Sequence, residues 1–202
     1  MRFSTAPAVL VAALATLAFA PAPAAAQPDA MSALQTAINA HSVGDNATAL
    51  EAVQEAQQVL WNLAPLSLRA FEFVNEPPED YGLYTPKETS DFTPEEPLLV
   101  YIEPVGYTQR QDAAGLYDWS LSGDFSIVAA EGELVLGSGK LGPWAKTGYR
   151  AFSAQLPLPM TINIKGLPEG AYLLRLTLID AFNPEKTVTV DKPFNLKPAA
   201  EE

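Results

Sequence analysis

The chain of 202 residues carries 24 acidic and 12 basic residues, a formal net charge of −12 at pH 7, with no cysteine and one histidine. That balance repels polyanions, which argues against nucleic acid or an anionic membrane surface as partner and leaves neutral ligands, cations and basic partners. Without cysteine there is neither a disulfide nor a thiolate nucleophile, and one histidine cannot build a histidine-rich zinc site.

The N-terminus reads as a secretory signal peptide over residues 1–26. Arg2 precedes an uncharged, apolar run from Val9 to Ala20, Pro21 and Pro23 break it, and Ala24-Ala25-Ala26 supplies a small-residue cleavage site. The run is too short to span a bilayer, and no second apolar stretch of spanning length follows, so no membrane insertion is expected. The expected location is periplasmic or secreted. Removal of residues 1–26 takes only Arg2 from the 12 basic residues and none of the 24 acidic ones, leaving 176 residues with a net charge of −13. That length suffices for one domain with a hydrophobic core and a small appendage, without disulfide staples.

Residues 27–65 read as a helical hairpin. Met31, Leu34 and Ile38 fall on one helical face, and Ala49, Val53, Ala56, Leu60 and Leu63 on another. Ser42-Val43-Gly44-Asp45 makes the turn, with Asp45 or Asn46 as cap of the second helix, and Pro65 ends it. So short a pair needs tertiary support, and the seam Ala49, Val53, Ala56 and Leu60 is expected to supply it by docking on the rest of the domain. Gly44-Asp45 followed by Ala49 and Ala56 resembles the small-residue spacing of a tetratricopeptide repeat. With a single copy and no solenoid, the resemblance implies hairpin geometry and no peptide-binding function.

Residues 66–196 read as a β-sandwich domain. Residues 66–74 have a two-residue period, after which residues 75–97 form a long loop with Pro77, Pro78, Pro86, Pro94 and Pro97. The loop is either a binding element or a rigid strap across a sheet edge. Further strands are expected at Leu98–Glu103, Leu116–Leu121, Asp124–Val128, Glu133–Leu136, Tyr149–Gln155, Met160–Lys165, Ala171–Ile179 and Thr187–Leu196, with Glu131-Gly132 as one of the turns. Tyr172, Leu174, Leu176 and Leu178 make one face of the penultimate strand wholly apolar, as a strand between two layers requires. Gly166-Leu167-Pro168-Glu169-Gly170-Ala171-Tyr172 leading into it resembles the closing hairpin of bacterial extracellular immunoglobulin-like and fibronectin type III-like domains, over roughly residues 159–196. The resemblance implies an antiparallel immunoglobulin-like β-sandwich and no activity. Residues 197–202 read as a frayed, disordered tail.

The chemistry is sparse. His41 sits at the end of the first helix, where an imidazole can satisfy terminal carbonyls, and no Gly-x-Ser-x-Gly elbow accompanies it. Glu76, Glu79, Asp80, Glu95 and Glu96 are loop carboxylates that nominate no catalytic pair, and no Asp-x-Asp-x-Asp-Gly loop points to calcium. No catalytic residue, metal ligand or cofactor is assigned. Tyr81, Tyr84, Tyr107 and Trp144 stand in segments read as loops, as binding platforms or as plugs at the ends of the sandwich. Tyr81, Tyr84 and Trp144 are the ligand-binding candidates, while Trp61, Phe71, Phe73, Trp119, Phe125 and Phe152 read as core. Together these features describe a non-enzymatic binding or assembly module of the cell envelope, with an unknown protein or carbohydrate as partner. The alternative is a carbohydrate-binding or carbohydrate-active domain using loop aromatics and carboxylates.

Overall fold

A computed structural model describes residues 29–130 and 135–198. The signal-peptide assignment, the Glu131-Gly132 turn and the end of the tail lie outside the described residues. The described chain is mainly β, with antiparallel sheets preceded by two helices.

Helix α1 spans Ala30–Ser42 and α2 spans Asn46–Leu63. Asp29 caps the first by accepting from the Met31 amide, and Asp45, rather than Asn46, caps the second by accepting from the Thr48 amide at 3.1 Å. The two pack on each other through Ala30, Ala33 and Ala37 of α1 and Ala52 and Ala56 of α2, all buried. Alanine at that spacing lets the helix backbones approach closely, and it turns the larger aliphatic side chains away from the seam.

The strands are β1 (Ser67–Phe73), β2 (Asp91–Phe92), β3 (Leu98–Val105), β4 (Arg110–Gln111), β5 (Tyr117–Ala129), β6 (Val135–Tyr149), β7 (Leu158–Ile162), β8 (Gly170–Asp180) and β9 (Thr187–Leu196). One sheet has the order β1-β3-β7, and the other the order β2-β9-β8-β5-β4 with β6 also on β5. Except for the two-residue parallel β2–β9 contact, the pairs are antiparallel. Leu98, Val100 and Ile102 of β3 join Leu174, Leu176 and Leu178 of β8 in one buried cluster, so a single core takes side chains from both sheets. Phe73 of β1 meets Phe194 of β9 edge-on at 6.2 Å across it. On β8, Tyr172, Leu174, Leu176 and Leu178 are buried and alternate with half-buried neighbours, as their period requires.

Several expected boundaries differ. The two expected strands Leu116–Leu121 and Asp124–Val128 merge, from Tyr117 onward, into one continuous strand, β5. The segment from Gly137 to Gly148 is strand β6, paired along β5, although its glycines and Pro143 suggest a loop. Such residues are tolerated because β6 pairs only with β5 among the described strands, and an edge strand can carry a proline and lysines. Beyond Tyr149, residues 150–157 are irregular where a strand was expected, and their backbone is held by side chains instead.

Candidate functional site

Three features of this fold offer surfaces for function: the joint between hairpin and sheets, the outward face of the hairpin, and the strap carrying Tyr81 and Tyr84.

The joint is a side-chain lock at the C-terminal end of α2. Trp61 is buried there, edge-on to Tyr107 at 5.3 Å and to Phe152 at 5.6 Å, and its indole N–H donates to the Tyr107 carbonyl at 2.8 Å. Lys186, from the β8–β9 turn, donates to the Asn62 and Gly106 carbonyls, each at 2.7 Å. Partial burial of that ammonium lowers its pKa, against the pull of Asp180. Asp180 is itself fully buried, accepting from the Thr108 amide at 2.6 Å and from the Phe182 amide at 2.9 Å. Gly106 has φ +80°, and a Cβ there would lie 2.3 Å from the Pro65 carbonyl oxygen, so only glycine lets the chain pass α2 this closely. The polypeptide thus places one buried aromatic, one cation and one glycine where the hairpin meets the sheets.

The expected docking seam is therefore corrected. Val53 is 46% and Leu60 51% exposed, and the hairpin is held by Trp61 at its end rather than along Ala49, Val53, Ala56 and Leu60. Met31 and Ile38 of α1 and Leu50 and Leu63 of α2 are also exposed. A groove runs along this side, as one hollow of about 580 Å³ between the helices and another of about 360 Å³ that reaches the sheet, with Trp61 and Val105 of β3 in its wall. Both have Leu34 and Val53 in their walls, so the groove is continuous from Ile38 to Leu60. His41 stands at its rim, with Nδ1 2.9 Å from Asn46 Oδ1. No Lys or Arg occurs in residues 29–68, and the acids of the hairpin lie elsewhere. Asp29 and Asp45 are caps, while Glu51 and Glu55 line a polar cleft of about 640 Å³ between α2 and residues 150–155, together with Gln54, Gln58, Tyr117 and Arg150. The Tyr117 hydroxyl donates to Gln58 Oε1 at 3.1 Å across that cleft.

The long proline-rich segment is a strap over the outer face of the β1-β3-β7 sheet. The Lys87 amide donates to the Phe73 carbonyl at 2.8 Å and the Asn75 amide to the Thr85 carbonyl at 3.1 Å, so the strap is laced to the end of β1 and to itself. Further on it inserts Phe92 into the core, edge-on to Phe73 at 5.0 Å. Tyr84 stacks on Tyr101 at 4.1 Å, and the Gly82 amide donates to the Tyr101 hydroxyl at 2.7 Å. That hydroxyl donates in turn to Glu103 Oε1 at 2.7 Å. Tyr101 is fully buried and Glu103 nearly so. Burial first, and then the charges of Glu103 and Glu72, raise the pKa of Tyr84. Tyr81 is half-buried, with the Arg69 guanidinium hydrogen-bonded to its hydroxyl. A hollow of about 240 Å³ beside this loop is lined by Tyr84, Glu76 and Glu79.

The structure brings Tyr81 and Tyr84 onto one strap and does not bring Trp144 to them. Trp144 lies in β6, directly opposite Leu121, and packs half-buried against the core cluster. Leu121 points into the core, so Trp144 lies on the inner side of its sheet, with the other sheet between it and Tyr84. Tyr107, read as a loop aromatic, is buried in the joint. Among the expected core aromatics, Trp61, Phe73 and Trp119 are buried, while Phe71, Phe125 and Phe152 are half-buried at its margin.

Among the described residues no three His, Asp or Glu side chains gather as a metal site would require, and no helix is long and apolar enough to cross a membrane. No protein-family model matches this sequence, and a search of curated proteins gives no match.

Proposed function

We propose that this protein is an exported, non-enzymatic assembly module of the cell envelope, periplasmic or secreted, whose working surface is the apolar face of its helical hairpin. In this reading the two sheets are an immunoglobulin-like sandwich that carries the hairpin. The single core shared by both sheets supports that architecture. Export rests on Arg2, the apolar run from Val9 to Ala20 and the small residues before Gln27.

The observation that carries the functional reading is the inversion of side-chain size on the hairpin. Alanines fill the buried seam, while Ile38, Leu50, Val53 and Leu60 face out around a continuous groove. An isolated exposed leucine needs no explanation, but a contiguous aliphatic face marks an interaction site. The test is a photocrosslinking residue at Leu50 of the protein exported in its own cells, with Thr189 on β9 as control. A discrete adduct at Leu50 and none at Thr189 is expected, whereas no adduct at Leu50 would overturn the reading.

A second reading, carbohydrate binding, is favoured by one observation: Tyr84 shares its hollow with the two carboxylates Glu76 and Glu79. It requires Tyr84→Ala to abolish retention of the processed protein on envelope glycans. Unchanged retention would eliminate it.

A further inference from the structure

The hairpin face leaves its partner unnamed, and its charge pattern narrows the choice. We propose that the partner is a second copy of this chain, the two hairpins meeting face to face about a two-fold axis to form a four-helix bundle. This rests on the reading of that face as the working surface.

A two-fold contact sets each surface patch against the same patch of its mate, so any net charge within it meets its own sign. For a processed chain of net charge −13, most self-contacts would set carboxylates against carboxylates. The groove is lined by no Asp, Glu, Lys or Arg, because the four acids of the hairpin are at its caps or in the polar cleft on α2. The face thus offers a basic partner no carboxylate and an acidic partner no cation. It fits a surface that is itself apolar and uncharged, and its own duplicate is one.

Helix α1 has 13 residues and lies beside α2, so the face is about 20 Å long and two helices, or about 20 Å, wide. Two such faces cover roughly 800 Å² in plan, near the lower limit for a specific interface, so a reversible rather than a permanent dimer is expected. The groove lies between Leu34 of α1 and Val53 of α2, where the ridge of exposed aliphatic side chains on the mate can seat, as in four-helix bundles. The sheets attach at the Trp61 end, so the face between Ile38 and Leu50 is left open.

Sedimentation equilibrium on the processed protein, from about 0.1 to 100 μM, reads this directly. A reversible dimer is expected, tightened by added salt because screening relieves repulsion between two acidic chains. Leu50→Glu is expected to weaken it at least about 100-fold, since each dimer then buries two carboxylates. The melting temperature of the dilute variant should match the parent, which separates lost pairing from lost folding. Because the chain has no cysteine, oxidation of Val53→Cys should give a disulfide-linked dimer and Thr189→Cys should not. A wild-type chain that is monomeric throughout, or a dimer indifferent to Leu50→Glu, overturns the proposal. If the Leu50 crosslink has the mass of a different protein while the purified chain stays monomeric, self-pairing fails and the assembly reading stands. No adduct and no dimer removes both.

Discussion

The two ends of α2 are built on opposite plans. At its C-terminal end, Trp61 is buried among Tyr107 and Phe152, and Lys186 ties the adjoining carbonyls. Two to three turns earlier, Val53 is 46% and Leu50 65% exposed. Helix stability in a protein of this size comes from tertiary burial rather than propensity, so a hairpin held at one end is a lever whose free part is stabilised mainly by its own alanine seam. One aromatic anchor fixes position, and the aliphatic face beyond it is left exposed. The contrast gives each residue of α2 an expected cost on replacement.

The largest effect should come from Trp61→Ala, which empties a buried aromatic site and breaks the bond to the Tyr107 carbonyl. Urea unfolding should show a loss of about 3–5 kcal/mol. A loss below about 1 kcal/mol would mean that the anchor lies elsewhere on the hairpin. Next comes Lys186→Met, which leaves the Asn62 and Gly106 carbonyls without their donor and should cost about 1–3 kcal/mol. Tyr84→Ala, which uncovers the Tyr101 ring but leaves the Tyr101–Glu103 bond in place, should cost about 1–2 kcal/mol. At submicromolar concentration Val53→Asp should change stability by only about 0.5 kcal/mol, because the new carboxylate stays in water.

The acid limb offers the smallest effect. Arg175 holds Asp191 through two hydrogen bonds of 2.8 Å and keeps its pKa below the usual carboxylate range. Bonds from Lys197 and Asn195 do the same for Asp91. A depressed folded-state pKa contributes stability that is complete above the unfolded value, near pH 4, and fades as pH falls through the folded value. Asp191→Asn should therefore flatten the loss of stability below about pH 4 and leave the slope above it unchanged, as read from melting temperature against pH.

What could be read from residues alone follows the strength of local constraint. The turn at Gly44, a cap at Asp45 or Asn46, the alternation of β8 and the burial of Trp61, Phe73 and Trp119 were legible because each depends on neighbours in sequence. The docking side of the hairpin was not. Both helices are apolar over more than one face, so periodicity marks the alanine seam and the leucine face alike, and only the anchor at Trp61 decides which is covered. The part of β6 from Gly137 to Gly148 was missed because Gly137, Gly139, Gly142, Pro143 and Gly148 carry loop signals, whereas its pairing is imposed by the long β5 alongside. The separation of Trp144 from Tyr84 follows from that missed strand, since a tryptophan opposite Leu121 must point inward. Tyr84 itself was placed correctly on the loop, but the ring that stacks beneath it, Tyr101, comes from a strand that had no reason to be singled out.

The hairpin is anchored at one end and bare along its face. Native-state amide hydrogen exchange on residues 27–202, at low and high concentration, measures this most directly. At low concentration the α1 amides should exchange through local opening at a free energy well below that of β8, which should exchange only by global unfolding. Raising the concentration should protect α1 and the N-terminal turns of α2 while leaving β8 unchanged. Equal protection of α1 and β8 at every concentration would contradict the account, because the hairpin would then be an integral part of the folded core.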